Sequence, residues 1–331
     1  MGDVTKKKRR AERVILSMIA KAPEALVRRA LLSAKPYVSE ACVVVAPGDP
    51  LLKIKLPLPG RIVAAKWVGY AKTRNLAIEL AEKQGTDWIL MLDADDIFKA
   101  GGKMPALSSD VDAYRIPVFP FPSSLAPLTS TPRSAFSFPR PHLIRARAGW
   151  EFRGVVHEAL YGKEKKEYKT VDWDGLVYLS GPANATRETF LEHARLLREE
   201  LASPSSTFPP PTRSQFYLAQ SLRDAGEHSE ALMEYVKRGN MMGGVGEENM
   251  WAWLEAGELA WRLNFPWECV ESFFKYAETW GPTRAEPNHR LAKLYRAWGK
   301  EERAREEEAK RVKKSKPEGA IFVDHSAYSL P

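Results

Sequence analysis

The chain has 331 residues, 44% of them hydrophobic and 28% charged, and a formal charge of +8. That composition excludes wholesale disorder and allows one large or two ordinary domains. Cys42 and Cys269 are too few for a disulfide framework or a cysteine-based zinc site.

Charge is concentrated at the front. Residues 1–35 carry ten Lys/Arg against Asp3, Glu12 and Glu24, a net of +7, and the other 296 residues hold +1. The basic tail, 1–13, could track a phosphate backbone or an anionic surface, or be a solvated arm. "VILSMIA" is too short for a signal-peptide core, and Lys6 stands where a myristoylation motif wants Ser or Thr. No stretch approaches the length needed to cross a bilayer, so a cytoplasmic protein is expected.

Val14 to Ile19 and Cys42 to Val45 are apolar runs that predict strands, with a helix between them carrying Leu26, Ala30, Leu31 and Ala34. A short strand follows near Arg61 to Ala64. A helix from about Tyr70 to Lys83 comes next, its buried stripe expected at Leu76, Ala77, Leu80 and Ala81, and its end at Gly85. Trp88-Ile89-Leu90-Met91-Leu92 is apolar without alternation, the pattern of a central strand covered on both faces. This order argues for an open α/β sheet with right-handed crossovers.

Asp93, Asp95 and Asp96 emerge directly from that last strand. Open α/β sheets place their ligand crevice at the carboxyl ends of the strands. Clustered carboxylates need a counter-charge, and a hard divalent cation held by one or two carboxylates plus substrate phosphates is the natural candidate. A charged turn leaving a buried strand is the bland alternative.

Residues 118–142 contain Pro120, Pro122, Pro127, Pro132, Pro139 and Pro141, which predicts a long irregular loop of the lid or binding type. "VDAYRIPV" and "LIRARAGWEFRG" read as strands on either side of it. "ASPSSTFPPPT" is the clearest linker, and three helix pairs follow, turning at Asp224-Ala225-Gly226, at Asn264 to Pro266 and around Gly299. Leu218, Ala219, Gly226, Ala231 and Tyr235 recur in kind as Leu291, Ala292, Gly299 and Ala304, a loose tetratricopeptide-like pattern. Such pairs stack over a shared core and commonly bind partners or dimerise.

Taken in order, "SMIAKAPEALVRRALLSAKPYVSEACVVV", "YAKTRNLAIELAEKQGTDWILMLDADD", "FRGVVHEAL" and the closing "RAEPNHRLAKLYRAWGK" with "IFVDHSAYSLP" resemble family 2 glycosyltransferases with a tetratricopeptide-like C-terminal half. The resemblance implies an α/β fold of GT-A type, a Rossmann-like open mixed sheet for nucleotide-diphospho-sugar transfer, over 14–200. A linker over 201–212, an all-α tetratricopeptide-like repeat domain over 213–315 and a tail over 316–331 would follow. It also implies a nucleotide-sugar donor, most naturally a UDP-sugar, with Mn²⁺ or Mg²⁺ and an inverting single displacement.

Carried over residue by residue, Asp93 and Asp95 match the D-x-D that grips metal and donor diphosphate, with Asp96 a further metal candidate. Arg74 and Asn75 match an "RN" near the nucleotide, and Lys21 and Asp49 complete the expected donor-binding set. Glu158 is the expected general base. His157 would be its partner or a metal ligand. Two departures stand out: Ala46 occupies the place of a base-contacting aspartate, and Ser180-Gly181 the place of a late metal-binding histidine.

The acceptor classes are a hydroxymethylated base in DNA, a peptide or protein side chain, and a glycan. Basic stretches favour a polyanion, and Phe119, Phe121 and Trp150 are candidates for stacking on an extruded base. A homodimer through the repeats is plausible. Two competing readings are a haloacid-dehalogenase phosphatase, which Ile97 and the two strands ahead of the aspartate strand disfavour, and a non-catalytic scaffold, which Ala46 and Ser180 favour.

Overall fold

A computed structural model describes residues 12–100, 104–120, 136–163, 167–173, 175–180, 186–203, 210–315, 317, 320 and 322–328. The first half alternates β1 (Val14–Ile19), α1 (Glu24–Ala34), β2 (Glu40–Val45), β3 (Gly60–Ala64), α2 (Tyr70–Glu82) and β4 (Trp88–Met91). There follow β5 (Ile97–Ala100), β6 (Ala113–Pro120), β7 (Phe136–Arg145), β8 (Trp150–Arg153), β9 (Ala159–Gly162), β10 (Thr170–Asp172) and β11 (Leu176–Ser180). The sheet runs β3-β2-β1-β4-β7-β6-β11-β5, with β10 beside β6 and a final strand, β12 (Val323–Asp324), beside β7. Strands β3, β2, β1 and β4 are parallel, and β7 turns the sheet antiparallel. The architecture is therefore mixed α/β with an open sheet.

The unbroken apolar runs have a direct cause. Leu16, Met18, Trp88 and Leu90 pack into one core with Ala30 and Leu31 of α1. Their neighbours Ile15, Ile89 and Met91 pack on the opposite face with Ile78 and Ala81 of α2. Both faces of β1 and β4 are thus covered, which removes the polar face an edge sheet would show. In α2 the buried positions are Thr73, Ala77, Ile78 and Ala81. The expected Leu76 and Leu80 are half-buried instead, because the stripe is rotated toward Ile78.

Helices α3 (Arg187–Ala202), α4 (Pro211–Asp224), α5 (His228–Asn240), α6 (Gly246–Arg262), α7 (Trp267–Trp280), α8 (Glu286–Ala297) and α9 (Glu301–Arg311) each pack on the next. The matched small and aromatic positions Leu218, Ala219, Ala231, Tyr235, Leu291, Ala292 and Ala304 are all buried. Gly226 and Gly299 take positive φ at the turns between paired helices, a conformation without penalty for glycine. Ala194 and Leu197 of α3 belong to this helical core, so the helical layer begins at Arg187, ahead of the expected start at 213. Within the expected linker, 201–212, α3 runs to Ala202 and α4 starts at Pro211, and residues 204–209 lie outside the described residues.

Two further expectations are corrected. The Pro-rich segment is strand at both ends, β6 running to Pro120 and β7 starting at Phe136; residues 121–135, with Pro122, Pro127, Pro132 and Phe121, lie outside the described residues. The expected tail, 316–331, contains a strand, β12, which pairs with Ser137 and Phe136. Arg284 pins it by binding Glu286 (2.6 Å), Glu247 (2.5 Å) and the Phe322 carbonyl (2.5 Å), while Tyr328 donates to Glu286 (2.7 Å).

Arg284 and Glu286 are both buried, and breaking such a pair by removing one partner costs about 3–5 kcal/mol. Arg284→Ala is expected to lower unfolding stability by an amount in that range in urea titration. An exposed control, Arg195→Ala, should leave the titration midpoint essentially where it is in wild type.

Candidate functional site

The chain turns sharply where β4 ends, the Asp96 amide donating to the Asp93 carbonyl at 3.2 Å. This turn sends the three carboxylates in different directions. Asp93 accepts from Arg74 Nη1 at 2.5 Å. Asp96 is buried and accepts from the Tyr178 hydroxyl at 2.6 Å. That hydroxyl in turn accepts from the Asp93 amide at 3.2 Å, so Asp96 holds the turn in shape through Tyr178 and is withdrawn from any metal. Asp95 makes no ion pair among the described residues; burial, then the charge of Asp93, push its carboxyl above the ordinary value.

Arg74, in the second turn of α2, joins two parts of the site. Its Nε donates to Glu158 at 2.5 Å while Nη1 holds Asp93, and the Phe152 ring lies 5.4 Å from the guanidinium. Burial works against the charge on Arg74, but Asp93 and Glu158 outweigh it and hold its pKa above the ordinary value. Burial likewise works against ionised Asp93, and Arg74 outweighs it, keeping that carboxyl below its usual range. Asn75 is used differently from the expectation. It clamps the backbone of Phe152, donating at 2.9 Å and accepting at 2.6 Å, and so fixes β8 against α2.

Glu158 reaches Arg74 because its neighbour is bent. His157 has φ of 49°, a left-handed conformation uncommon for residues other than glycine. The bend places the His157 ring in the helical layer, stacked on Tyr217 at 4.5 Å and 3.4 Å from the Ser221 hydroxyl. Arg213 donates to its carbonyl at 3.3 Å. Burial, then His193, hold the imidazole pKa down at about 3. His157 therefore docks the two layers together, and its part as a metal ligand or as a partner of Glu158 is corrected. Asp49 is also accounted for locally: its carboxylate caps a short turn by accepting from the Leu51 amide at 2.9 Å.

Two cavities meet at the Arg74–Asp93 pair. The outer one, about 740 Å³, lies at the carboxyl ends of β1 and β4 and is lined by Lys21, Trp67, Tyr70, Asp95, Thr189 and His193 among others. The inner one, about 200 Å³, lies between the sheet and the helical layer, with Glu158, His142, Phe138, Tyr178, Tyr217 and Phe322 among its walls. Arg74 and Asp93 line both.

Lys21, Arg74, Asp93, Asp95 and Glu158 thus come together around one centre, while Asn75, Asp49, Asp96 and His157 serve structural contacts. Among the described residues no three His, Cys, Asp or Glu side chains converge into a metal cage. Asp93 and Asp95 nonetheless share the outer cavity, a donor set that suits a cation completed by substrate phosphates rather than by protein alone. Trp150, a stacking candidate, is buried against Tyr168 at 4.4 Å.

Sequence reading missed His142, Tyr178 and His193. His142 is the extra residue of a β-bulge, since Leu143 pairs with Tyr114 and Pro141 with Arg115. Bulges re-aim side chains beside functional sites, but nothing in "FPRPHLIR" announces one. His193, on α3, lines the outer cavity together with Asp95, on a helix whose pattern reads as an ordinary amphipathic surface.

No family model and no curated protein matches the chain. Among solved structures, two crystal structures of MamA are each 16% identical with a TM-score of 0.32, over 38% of this chain and 69% and 64% of theirs. A MamA RS-1 double mutant is 15% identical with a TM-score of 0.32, over 38% of this chain and 66% of that one. The chain spans about two thirds of these structures, and likenesses so partial carry no argument about the site. No helix among the described residues is long and apolar enough to cross a membrane.

Arg74→Ala is expected to lower stability by about 2 kcal/mol at pH 7, less than a fully buried pair would lose because the Asp93 side chain is 36% exposed. Asp93 is held below its ordinary 3.8, so the contribution is present above that value and is lost as pH falls through the depressed one. Urea titrations of wild type and variant should diverge above about pH 5 and converge in acid. His157 adds to the acid sensitivity of both proteins. Unfolded it binds its proton near 6.5 and folded near 3, so stability falls by roughly 1.4 kcal/mol per pH unit between those values on its account.

Proposed function

We propose that the chain is an inverting, nucleotide-sugar-dependent glycosyltransferase whose sheet is of GT-A type. The observation that carries the reading is the meeting of two cavities at Arg74 and Asp93, at the carboxyl end of a doubly covered parallel strand. The outer cavity, about 740 Å³, falls in the range of small-molecule sites and accommodates a nucleotide-sugar. Lys21 supplies a cation beside the position of a diphosphate, and Trp67 and Tyr70, in edge contact at 5.0 Å, supply apolar walls.

A divalent cation, Mn²⁺ or Mg²⁺, would be held by Asp95 and Asp93 together with the donor diphosphate, where it would neutralise the leaving group. It would also offset the burial, and then the Asp93 charge, that push up the Asp95 carboxyl. On the other side of the shared wall, Glu158 faces the inner cavity, where it takes the proton of an acceptor hydroxyl. Arg74 fixes Glu158 and Asp93 in one frame, so base and donor anchor keep a constant separation. The nucleotide is a uridine diphosphate in the simplest form of this reading.

Glu158→Gln keeps the hydrogen bond to Arg74 and removes the base. Transfer should fall by roughly 10²–10⁴-fold while a Mn²⁺-dependent rise in melting temperature with one nucleoside diphosphate persists. Asp95→Asn should abolish both that rise and transfer. A wild-type protein whose melting is moved by no nucleotide, with or without Mn²⁺, is a scaffold and not this enzyme.

A further inference from the structure

The inner cavity has features that the donor does not use. At about 200 Å³ it is somewhat larger than the roughly 150 Å³ that holds one benzene ring, so it fits a single ring with a small substituent. Phe138, Phe152, Tyr217 and Phe322 offer it aromatic surface, on which planar bases stack whatever their sequence. His142 lines the same space, stacked on Tyr178 at 4.2 Å. One nitrogen of its ring is tied to the Met91 backbone, and among the described residues Nε2 is buried without a hydrogen-bond partner. An enclosed acceptor nitrogen of this kind is costly to leave unsatisfied.

Charge around the cavity points the same way. Its carboxylates, Asp93 and Glu158, are both held by Arg74. Arg140 is exposed and packs over the Phe138 ring at 4.7 Å, whereas Arg213 of the lining is already paired with Glu248 at 3.4 Å. Arg140 thus offers an exposed cation that favours a phosphate backbone at the rim.

We propose, resting on the glycosyltransferase reading, that this cavity is the acceptor subsite and receives one hydroxymethylated pyrimidine of a single-stranded or locally opened nucleic acid. The ring presents an N–H edge to His142 Nε2 and its hydroxymethyl group to Glu158. A tyrosine or serine side chain would offer only the hydroxyl that Glu158 needs and leave Nε2 unpaired. In the step, the hydroxyl oxygen forms a bond to the anomeric carbon as its proton passes to Glu158. The bond from that carbon to the diphosphate oxygen breaks, and its electron pair leaves with the nucleoside diphosphate.

The test uses the full-length protein and fluorescent single-stranded oligonucleotides that carry one hydroxymethylated pyrimidine or the plain pyrimidine at the same place. Wild type should bind the modified strand more tightly. His142→Gln and His142→Phe should each erode that preference about tenfold, the Phe variant retaining the stack on Tyr178. Arg140→Ala, at an exposed site, should weaken binding to both strands and reduce the salt slope by about one. Equal affinity for the two strands, a preference unchanged in both His142 variants, or sugar transfer to peptide or glycan acceptors with none to the modified strand would overturn the proposal. Nucleotide-sugar hydrolysis and the Mn²⁺-dependent melting shift are scored separately. If these hold while oligonucleotides fail, the acceptor assignment alone falls; if they fail while the modified strand binds selectively, the transferase reading falls and the base pocket stands.

Discussion

The Arg74 guanidinium holds Asp93 from the sheet and Glu158 from the connection into the helical layer, each at 2.5 Å. Two carboxylates, Asp93 lining both cavities and Glu158 the inner one, would otherwise repel across the gap between them. A single rigid fork with several N–H donors can serve both, which a lysine ammonium cannot do with the same geometry.

The helical layer is part of the site and not an appendage. α3 contributes Thr189 and His193 to the outer cavity, α4 contributes Arg213 and Tyr217 to the inner one, and the returning tail contributes Phe322. The left-handed turn at His157 is the hinge of this arrangement. It places an imidazole against Tyr217 in the helices and leaves Glu158 on the sheet side. Backbone strain of this order, about 1–3 kcal/mol, persists only where the surroundings over-determine it, and here the stack, the Ser221 contact and the Arg213 bond to the carbonyl do so.

Much of this was legible in the residues. Continuous apolar runs located β1, β2 and β4 because both sheet faces are covered, and small residues at matched spacing located the helix pairs because close helix approach demands them. The acidic tip of β4 was legible because carboxylates at a strand end are conspicuous. Roles set by tertiary contacts were not. Asp49, Asp95 and Asp96 look alike in sequence, yet one caps a turn, one faces a cavity and one is buried on Tyr178. The tail strand was missed because Val323 and Asp324 are two residues without a pattern, held by Arg284 from far along the chain.

The proline-rich segment shows how composition can mislead while the underlying chemistry remains sound. Pro139 faces Pro117 across the ladder, and neither has an N–H, so the pair makes no backbone bond between β6 and β7. In an antiparallel ladder such a position directs its nitrogen away from the partner, toward the side where, among the described residues, β4 pairs only with 143–145 and β12 only with 136 and 137. Ordinary residues at 139 and 141 would leave N–H groups unpaired in that gap, at about 1–3 kcal/mol each when shielded from water. Proline has none to leave. The residues that argue against a strand are therefore those that let a strand border an opening in the sheet, and the opening is the inner cavity, with Pro139, Pro141 and the bulged His142 along its wall.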